Sequence, residues 1–294
     1  MRESGTSSWN ARRIVQTPIR NSDGASSSYI RHGSGETLVF VHGVGLHADI
    51  WRAQLEAMRE QFDVIAMDML GHGQSSLPPH DAVLGDFSNQ LYALINVLEL
   101  DKVHLAGHSM GAMVILDFVL NNQDRALSLA GLNPVFRRTS EQRRAISDRA
   151  ATLLEYAPTP IAEATIARWF GSPVPARLAH HAQNVREMLE GVDPTGYARA
   201  YRIFASADAV DEDRLRKLVV PCLFMTGEID PNSTPAMCAA LAGLLQDGRC
   251  DIIRDERHMM ALTAPDEVNA KLAGFFLSLS QTNTSSIVSK DWRP

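Results

Sequence analysis

The pentapeptide Gly107-His108-Ser109-Met110-Gly111 carries the strongest chemical signal in the sequence. It follows the apolar run Val103-His-Leu-Ala106 and precedes apolar residues at helical spacing, which puts Ser109 at a strand-to-helix turn. Such a turn strains the serine backbone, and Gly107 and Gly111 allow it because neither brings a side chain into the bend. The hydroxyl is lifted clear of the strand, at a helix N-terminus whose free N–H groups and positive dipole end favour developing negative charge. That setting suits a nucleophile in acyl transfer. A tight turn without chemistry is the competing reading, and the flanking strand and helix weigh against it. A second loop, His42-Gly43-Val44-Gly45, follows the apolar run Thr37-Leu-Val-Phe-Val41. Its glycines let backbone N–H groups approach a substrate oxygen, so Val44 and Met110 are the expected oxyanion donors. His42 is expected to brace this loop, and Asp68-Met-Leu-Gly-His-Gly-Gln-Ser75 to form a structural turn.

These loops need a scaffold. The runs just named, with Phe62-Asp-Val-Ile-Ala-Met67, Ala126-Leu-Ser-Leu-Ala130 and Cys222-Leu-Phe-Met225, read as strands buried in a parallel sheet. Between them Trp51, Leu55 and Met58, then Leu91, Leu94, Ile95 and Leu98, then Met113, Val114, Phe118 and Val119 recur at helical spacing. Strand and helix in alternation predict an α/β fold, a mostly parallel eight-stranded sheet flanked by helices. Residues from about 12 to 31 read as two weaker strands around Asn21-Ser-Asp-Gly24, a leading antiparallel hairpin. From Phe136 to about Asp211 helical spacing continues without an apolar strand, which predicts an inserted helical cap. The expected organisation is a core of residues 1–135 and 212–280, a cap of 136–211 and a flexible C-terminal tail of 281–294.

Composition narrows the function classes. With 45% hydrophobic and 21% charged residues the chain reads as an ordinary soluble protein. A formal charge of -6 offers no basic face, so neither nucleic acid nor a membrane surface is an expected partner. The opening residues lack an apolar segment of the signal-peptide kind, and no run is long enough to span a bilayer. Three cysteines, Cys222, Cys238 and Cys250, without C-x-x-C spacing, fit a reduced cytoplasmic protein. Neither a metal-ligand cluster nor a nucleotide-binding glycine loop is present, so no cofactor and no metal are expected.

The motifs His42-Gly-Val-Gly45, Asp68 to Ser75, Gly107 to Gly111, Gly227-Glu-Ile-Asp-Pro231 and Arg257-His-Met-Met260, in this order and spacing, resemble the α/β-hydrolase superfamily along nearly the whole chain. Within it, Ala167-Arg-Trp-Phe170, Val185-Arg-Glu-Met-Leu189 and Gly196-Tyr-Ala-Arg-Ala200 resemble 3-oxoadipate enol-lactonases and their relatives. The chain departs from that subfamily at Ala112, where a further glycine is usual, and at Met259-Met260 after the histidine. The resemblance implies the chain order serine, acid, histidine. After residue 181 the sequence holds one histidine, His258, which follows the strand-like Cys250-Asp-Ile-Ile-Arg254 and is the expected general base. Asp230, after Cys222-Leu-Phe-Met225, is the expected acid that fixes its tautomer. Glu228 is a nearby rival that should alternate to the other side of a persisting strand. Where some relatives place the acid, this chain has the uncharged Asn133.

The cap should select the substrate. Its basic residues, apart from two histidines, are arginines, whose planar fork suits a carboxylate. Most alternate with Glu141, Asp148, Glu155 and Glu163 as solvated faces would, which leaves Arg138 and Arg168 as substrate-binding candidates. Trp169 and Met259 are candidates for an apolar pocket wall. The expectation is a serine hydrolase cleaving an ester, lactone or enol-lactone bond of a small carboxylate-bearing molecule, with oligomeric state open. Carbon–carbon bond hydrolases commonly carry an aromatic residue after the histidine, where Met259 stands. They, cofactor-free haloperoxidases of the same fold, and a non-enzymatic small-molecule receptor are the alternatives.

Overall fold

The computed structural model describes residues 19–20, 24–153, 158–207 and 210–288. Among these residues nine strands form: β1 Ile19–Arg20, β2 Ser26–Ser27, β3 Tyr29–Gly33, β4 Glu36–Val41, β5 Phe62–Met67, β6 Val103–His108, β7 Ala126–Leu132, β8 Cys222–Gly227 and β9 Gly248–Ile253. The last seven build one sheet in the order β3-β5-β4-β6-β7-β8-β9. β3 runs antiparallel to β5, and every other neighbouring pair is parallel. β5, β6 and β8 are buried at every residue, the continuous burial that central parallel strands require.

The sheet therefore has seven strands among the described residues, where eight were expected. The reason lies in the leading segment. Among the described residues β1 and β2 pair only with each other. The polar backbone of residues 26–28 is claimed by the loop after β5: Ser26 N–H donates to Ser76 Oγ and Ser28 N–H to Ser75 Oγ, while Ser28 O accepts from Asp68 N–H. Only β3 of the anticipated hairpin reaches the sheet. The rest of that hairpin, residues 12–18 and 21–23, lies outside the described residues.

The helices are α1 Arg52–Met58, α2 Leu84–Val97, α3 Met110–Asn121, α4 Ser140–Thr152, α5 Pro158–Phe170, α6 Ala179–Gly191, α7 Pro194–Ser206, α8 Glu212–Arg216, α9 Pro235–Ala242, α10 Met260–Thr263 and α11 Pro265–Val288. α3 buries its length against α2, β6 and β7, and α1 packs on α11. The backbone of α11 stays helical through Val288, into the segment expected as a tail. None of the described helices is long and apolar enough to cross a membrane.

Between β7 and β8 the described residues contain helices and no strand, with α4 packed on α7 and α5 on α6. The seat of α7 on the core is a contact of two bare backbones. A Cβ at Gly196 would lie 2.4 Å from Gly71 O, and one at Gly71 would lie 2.7 Å from Gly196 Cα. Arg199 donates to Pro78 O at 2.7 Å and Arg202 to His80 O, so these two arginines tie the same helix to the loop after β5. Replacing Gly196 with Ala must push α7 off this seat, at a cost of about 1–3 kcal/mol for overpacking. The urea midpoint should fall accordingly, and an unchanged midpoint would mean that the loop yields.

Candidate active site

Ser109 joins β6 to α3 with φ 53° and ψ −113°, a conformation that side chains rarely adopt. The crowding shows why glycines flank it: a Cβ on Gly107 would meet Gly111 O at 2.4 Å, and one on Gly111 would meet Val41 O at 2.2 Å. The Ser109 N–H is held by Leu132 O at 2.8 Å, so the turn is pinned to the end of β7. Strain of this kind persists because its neighbours over-determine it.

The carboxyl ends of the next strands bring an acid and an imidazole alongside. His258 Nδ1 lies 2.8 Å from Asp230 Oδ2, both groups buried. A proton on Nδ1 makes this bond and leaves Nε2 as the basic nitrogen. Asp230 is supported on both oxygens: Asn133 Nδ2 donates to Oδ2 at 2.8 Å and the Asn232 N–H to Oδ1 at 2.8 Å. Burial alone would raise the Asp230 pKa, but the His258 charge and hydrogen bond, with the two amides, hold it below the ordinary carboxylate value. Glu228 stands outside, exposed and accepting from the Asp255 N–H at 3.1 Å.

Three further buried histidines frame the serine. His72 Nε2 accepts the Gly45 N–H at 2.9 Å, and His42 Nε2 accepts the Met69 N–H at 2.9 Å, which laces the loop after β4 to the loop after β5. With Gly45 so engaged and Leu46 N–H bonded to Gly43 O, the Val44 N–H has no protein acceptor among the described residues. Met110 opens α3, where the helix cannot use its N–H. His108, beside Ser109, donates from Nε2 to the backbone oxygen of His258 at 2.9 Å. Burial pushes the pKa of all three histidines down to about 3, aided for His72 by His42 and for His108 by His258.

Beside Ser109 and His258, the helices between β7 and β8 line a narrow cavity of about 30 Å³. Val44, Arg138, Arg149, Arg168, Trp169, Tyr197 and Tyr201 are among its walls, and no Asp or Glu is among its described residues. Arg138 is buried, donates to Phe204 O at 2.9 Å and lies over the Phe204 ring. Arg168 is held by Ala164 O and Thr165 Oγ1, each at 3.1 Å. Burial lowers its pKa, Arg149 adds like-charge repulsion, and Tyr201 and Tyr197 oppose both. The Trp169 indole packs against the His258 ring, centroids 5.4 Å apart. Met259 does not reach the cavity. It is buried at the start of α10, where its carbonyl accepts from Leu262 N–H and Thr263 N–H, so its expected place in the pocket wall is corrected. Among the described residues no group of His, Cys, Asp and Glu is arranged to hold a metal.

The chain as a whole has relatives. Residues 38–271 match the model of the alpha/beta hydrolase family. The chain is a member of that family. It is 37% identical over 256 residues to the (E)-2-((N-methylformamido)methylene)succinate hydrolase of Acinetobacter baylyi, covering 87% of this chain and 96% of that one. It is 24% identical over 263 residues to 3-oxoadipate enol-lactonase 1 of the same organism, covering 89% and 97%. A thermophilic esterase from Thermogutta terrifontis, solved with malate bound, superposes with a TM-score of 0.82 at 25% identity, covering 90% of this chain and 99% of that one.

Within this alpha/beta hydrolase, sequence reasoning missed Arg149, His108 and the supporting role of Asn133. Arg149 sits on a cap helix among solvated charges, and only the fold of α4 against α7 shows that it turns inward, where Nε donates to Tyr201 Oη at 3.0 Å. Two outcomes follow from the histidines. Unfolded histidines bind a proton near pH 6.5, whereas His42, His72 and His108 resist it to about 3 when folded. Their stabilisation is present above about pH 6.5 and is lost as pH falls, by about 1.4 kcal/mol per pH unit per histidine. Urea midpoints at pH 7 and 5 should show that drop, and equal midpoints would contradict three buried neutral rings. His108→Gln, which can still donate, should keep about tenfold more kcat than His108→Phe. Equal losses would leave His108 a space-filler.

Proposed function

We propose that this protein is a serine hydrolase that opens an ester, lactone or enol-lactone type of acyl bond in a small dicarboxylate. The observation that carries the reading is a cavity in which Ser109 and His258 face Arg138, Arg149 and Arg168, with no Asp or Glu among its described walls. Buried guanidinium groups facing a nucleophile suit anionic partners, and substrate carboxylates would relieve the repulsion between Arg149 and Arg168. The relatives support this reading: one hydrolyses a substituted succinate, and a structural neighbour was solved with malate, both dicarboxylates.

In the proposed mechanism Ser109 Oγ attacks the acyl carbon as His258 Nε2 takes its proton. Asp230 holds the imidazole by Nδ1 and stabilises the imidazolium, remaining ionised itself. The N–H groups of Val44 and Met110 receive the oxyanion. His258 then protonates the leaving group, and water, activated by the same imidazole, releases the acyl group from Ser109. Arg138, Arg149 and Arg168 orient the carboxylates, with Trp169 as the apolar wall beside His258. A cytoplasmic location belongs to the same proposal and rests on the three free thiols.

Kinetics on matched p-nitrophenyl esters test the two layers separately. Ser109→Ala should lower kcat by about 10³-fold or more on every ester, and retention of activity in a clean preparation would remove the hydrolase reading. Arg149→Met and Arg168→Met should each cost about 1.5–3 kcal/mol, roughly ten- to hundredfold in kcat/KM, on the succinyl half-ester. On a neutral ester of the same size the loss should be nearly absent. Equal losses on both esters would discard the dicarboxylate while leaving the serine chemistry standing.

A further inference from the structure

Away from the cavity, two of the three cysteines are in contact. Cys238, on α9, is buried, and Cys250, on β9, is half-buried. The Cys250 thiol donates to Cys238 Sγ with 3.0 Å between the sulfurs, closer than two unbonded sulfur atoms ordinarily rest. α9 packs on both β8 and β9, so the backbone already holds the pair side by side. Cys222 behaves differently: it is buried in β8 and its thiol donates to Val220 O at 3.2 Å. α9 follows the loop that carries Asp230, and β9 leads into the loop that carries His258. A bond between these cysteines would tie together the two segments that supply the acid and the imidazole.

We propose that Cys238 and Cys250 are a modification site, a dithiol that a hydroperoxide oxidises to an intramolecular disulfide. The more exposed Cys250 meets the oxidant first. Its sulfur donates an electron pair to the distal peroxide oxygen, the O–O bond breaks, and Cys250 becomes a sulfenic acid while the peroxide leaves as alcohol or water. Cys238 sulfur then attacks Cys250 sulfur, the S–OH bond breaks, and the expelled hydroxide takes the Cys238 proton as water. The two thiols lose two electrons to the peroxide, and two hydrogens leave the protein. Burial, with the Cys250 thiol and the nearby Asp251 charge, pushes the Cys238 pKa up, which leaves the first step to Cys250, and the second step rests on the 3.0 Å approach of the two sulfurs.

The test treats the intact protein with stoichiometric hydrogen peroxide and maps its peptides without reduction. One cross-linked pair joining Cys238 to Cys250 is expected, with a loss of two hydrogens in mass. Thiols titrated after denaturation should fall from three to one, Cys222 remaining, and dithiothreitol should restore all three. Cys250→Ser should yield no cross-link and leave Cys238 titratable, because the residue that meets the oxidant is gone. Oxidation of Cys250 onward to sulfinic acid with Cys238 still free, or a cross-link through Cys222, would overturn the proposal. The outcome is independent of the substrate reading, since no step involves Ser109 or the cap.

Discussion

A carboxylate is buried beneath His258, and much of this end of the molecule is arranged around its charge. Removed from water, Asp230 would cost several kcal/mol if left alone. It is instead met by an imidazole N–H, a side-chain amide and a backbone amide, shared between its two oxygens. Each partner arrives from a different part of the chain: His258 from the loop after β9, Asn133 from the end of β7 and Asn232 from the turn after β8. The acid thus fixes the spacing of three strand ends. Asn133 adopts φ 49° there, and its Nδ2 also lies within reach of Thr226 Oγ1 and Arg257 O, so one uncommon backbone conformation serves several contacts.

The parallel sheet was legible in the sequence because its strands are buried on both faces and read as unbroken apolar runs, as in Phe62 to Met67. The strand-to-helix turn at Ser109 was equally legible, since two glycines and a serine leave few alternatives between a strand and a helix. Asp230 and His258 could be read from chain order once the family resemblance was in hand, and geometry separates Asp230 from Glu228 by burial. The antiparallel pairing around Asn21 to Gly24 was legible, as β1 and β2 show, but that this pair stays apart from the main sheet was not, because it depends on serine side chains fifty residues away, which periodicity does not register. Met259 was misread for a related reason: an apolar residue beside a histidine can face the pocket or the core, and only the short turn of α10 decides.

The cap shows the same limit in its arginines. Arg199 and Arg202 end on backbone carbonyls of the core, Arg186 meets Glu163, and Arg137 meets Glu212. Arg149 and Arg168 instead turn toward the space above Ser109, where tyrosine hydroxyls and a threonine are their neighbours. Residue type and spacing are alike in both groups. What separates them is which face of each helix the packing of α4 on α7 and of α5 on α6 leaves inward.

The bare contact between Gly71 and Gly196 has a consequence for how this protein can diverge. The two positions lie far apart in the chain, one in the core and one in the cap, yet neither can accept a side chain while the other holds its backbone in place. Variation at one is therefore licensed only by retreat at the other. In a lineage or a mutant library, the pair should change together or stay fixed. A cap grafted from a relative would seat here only if it brought its own glycine to the junction.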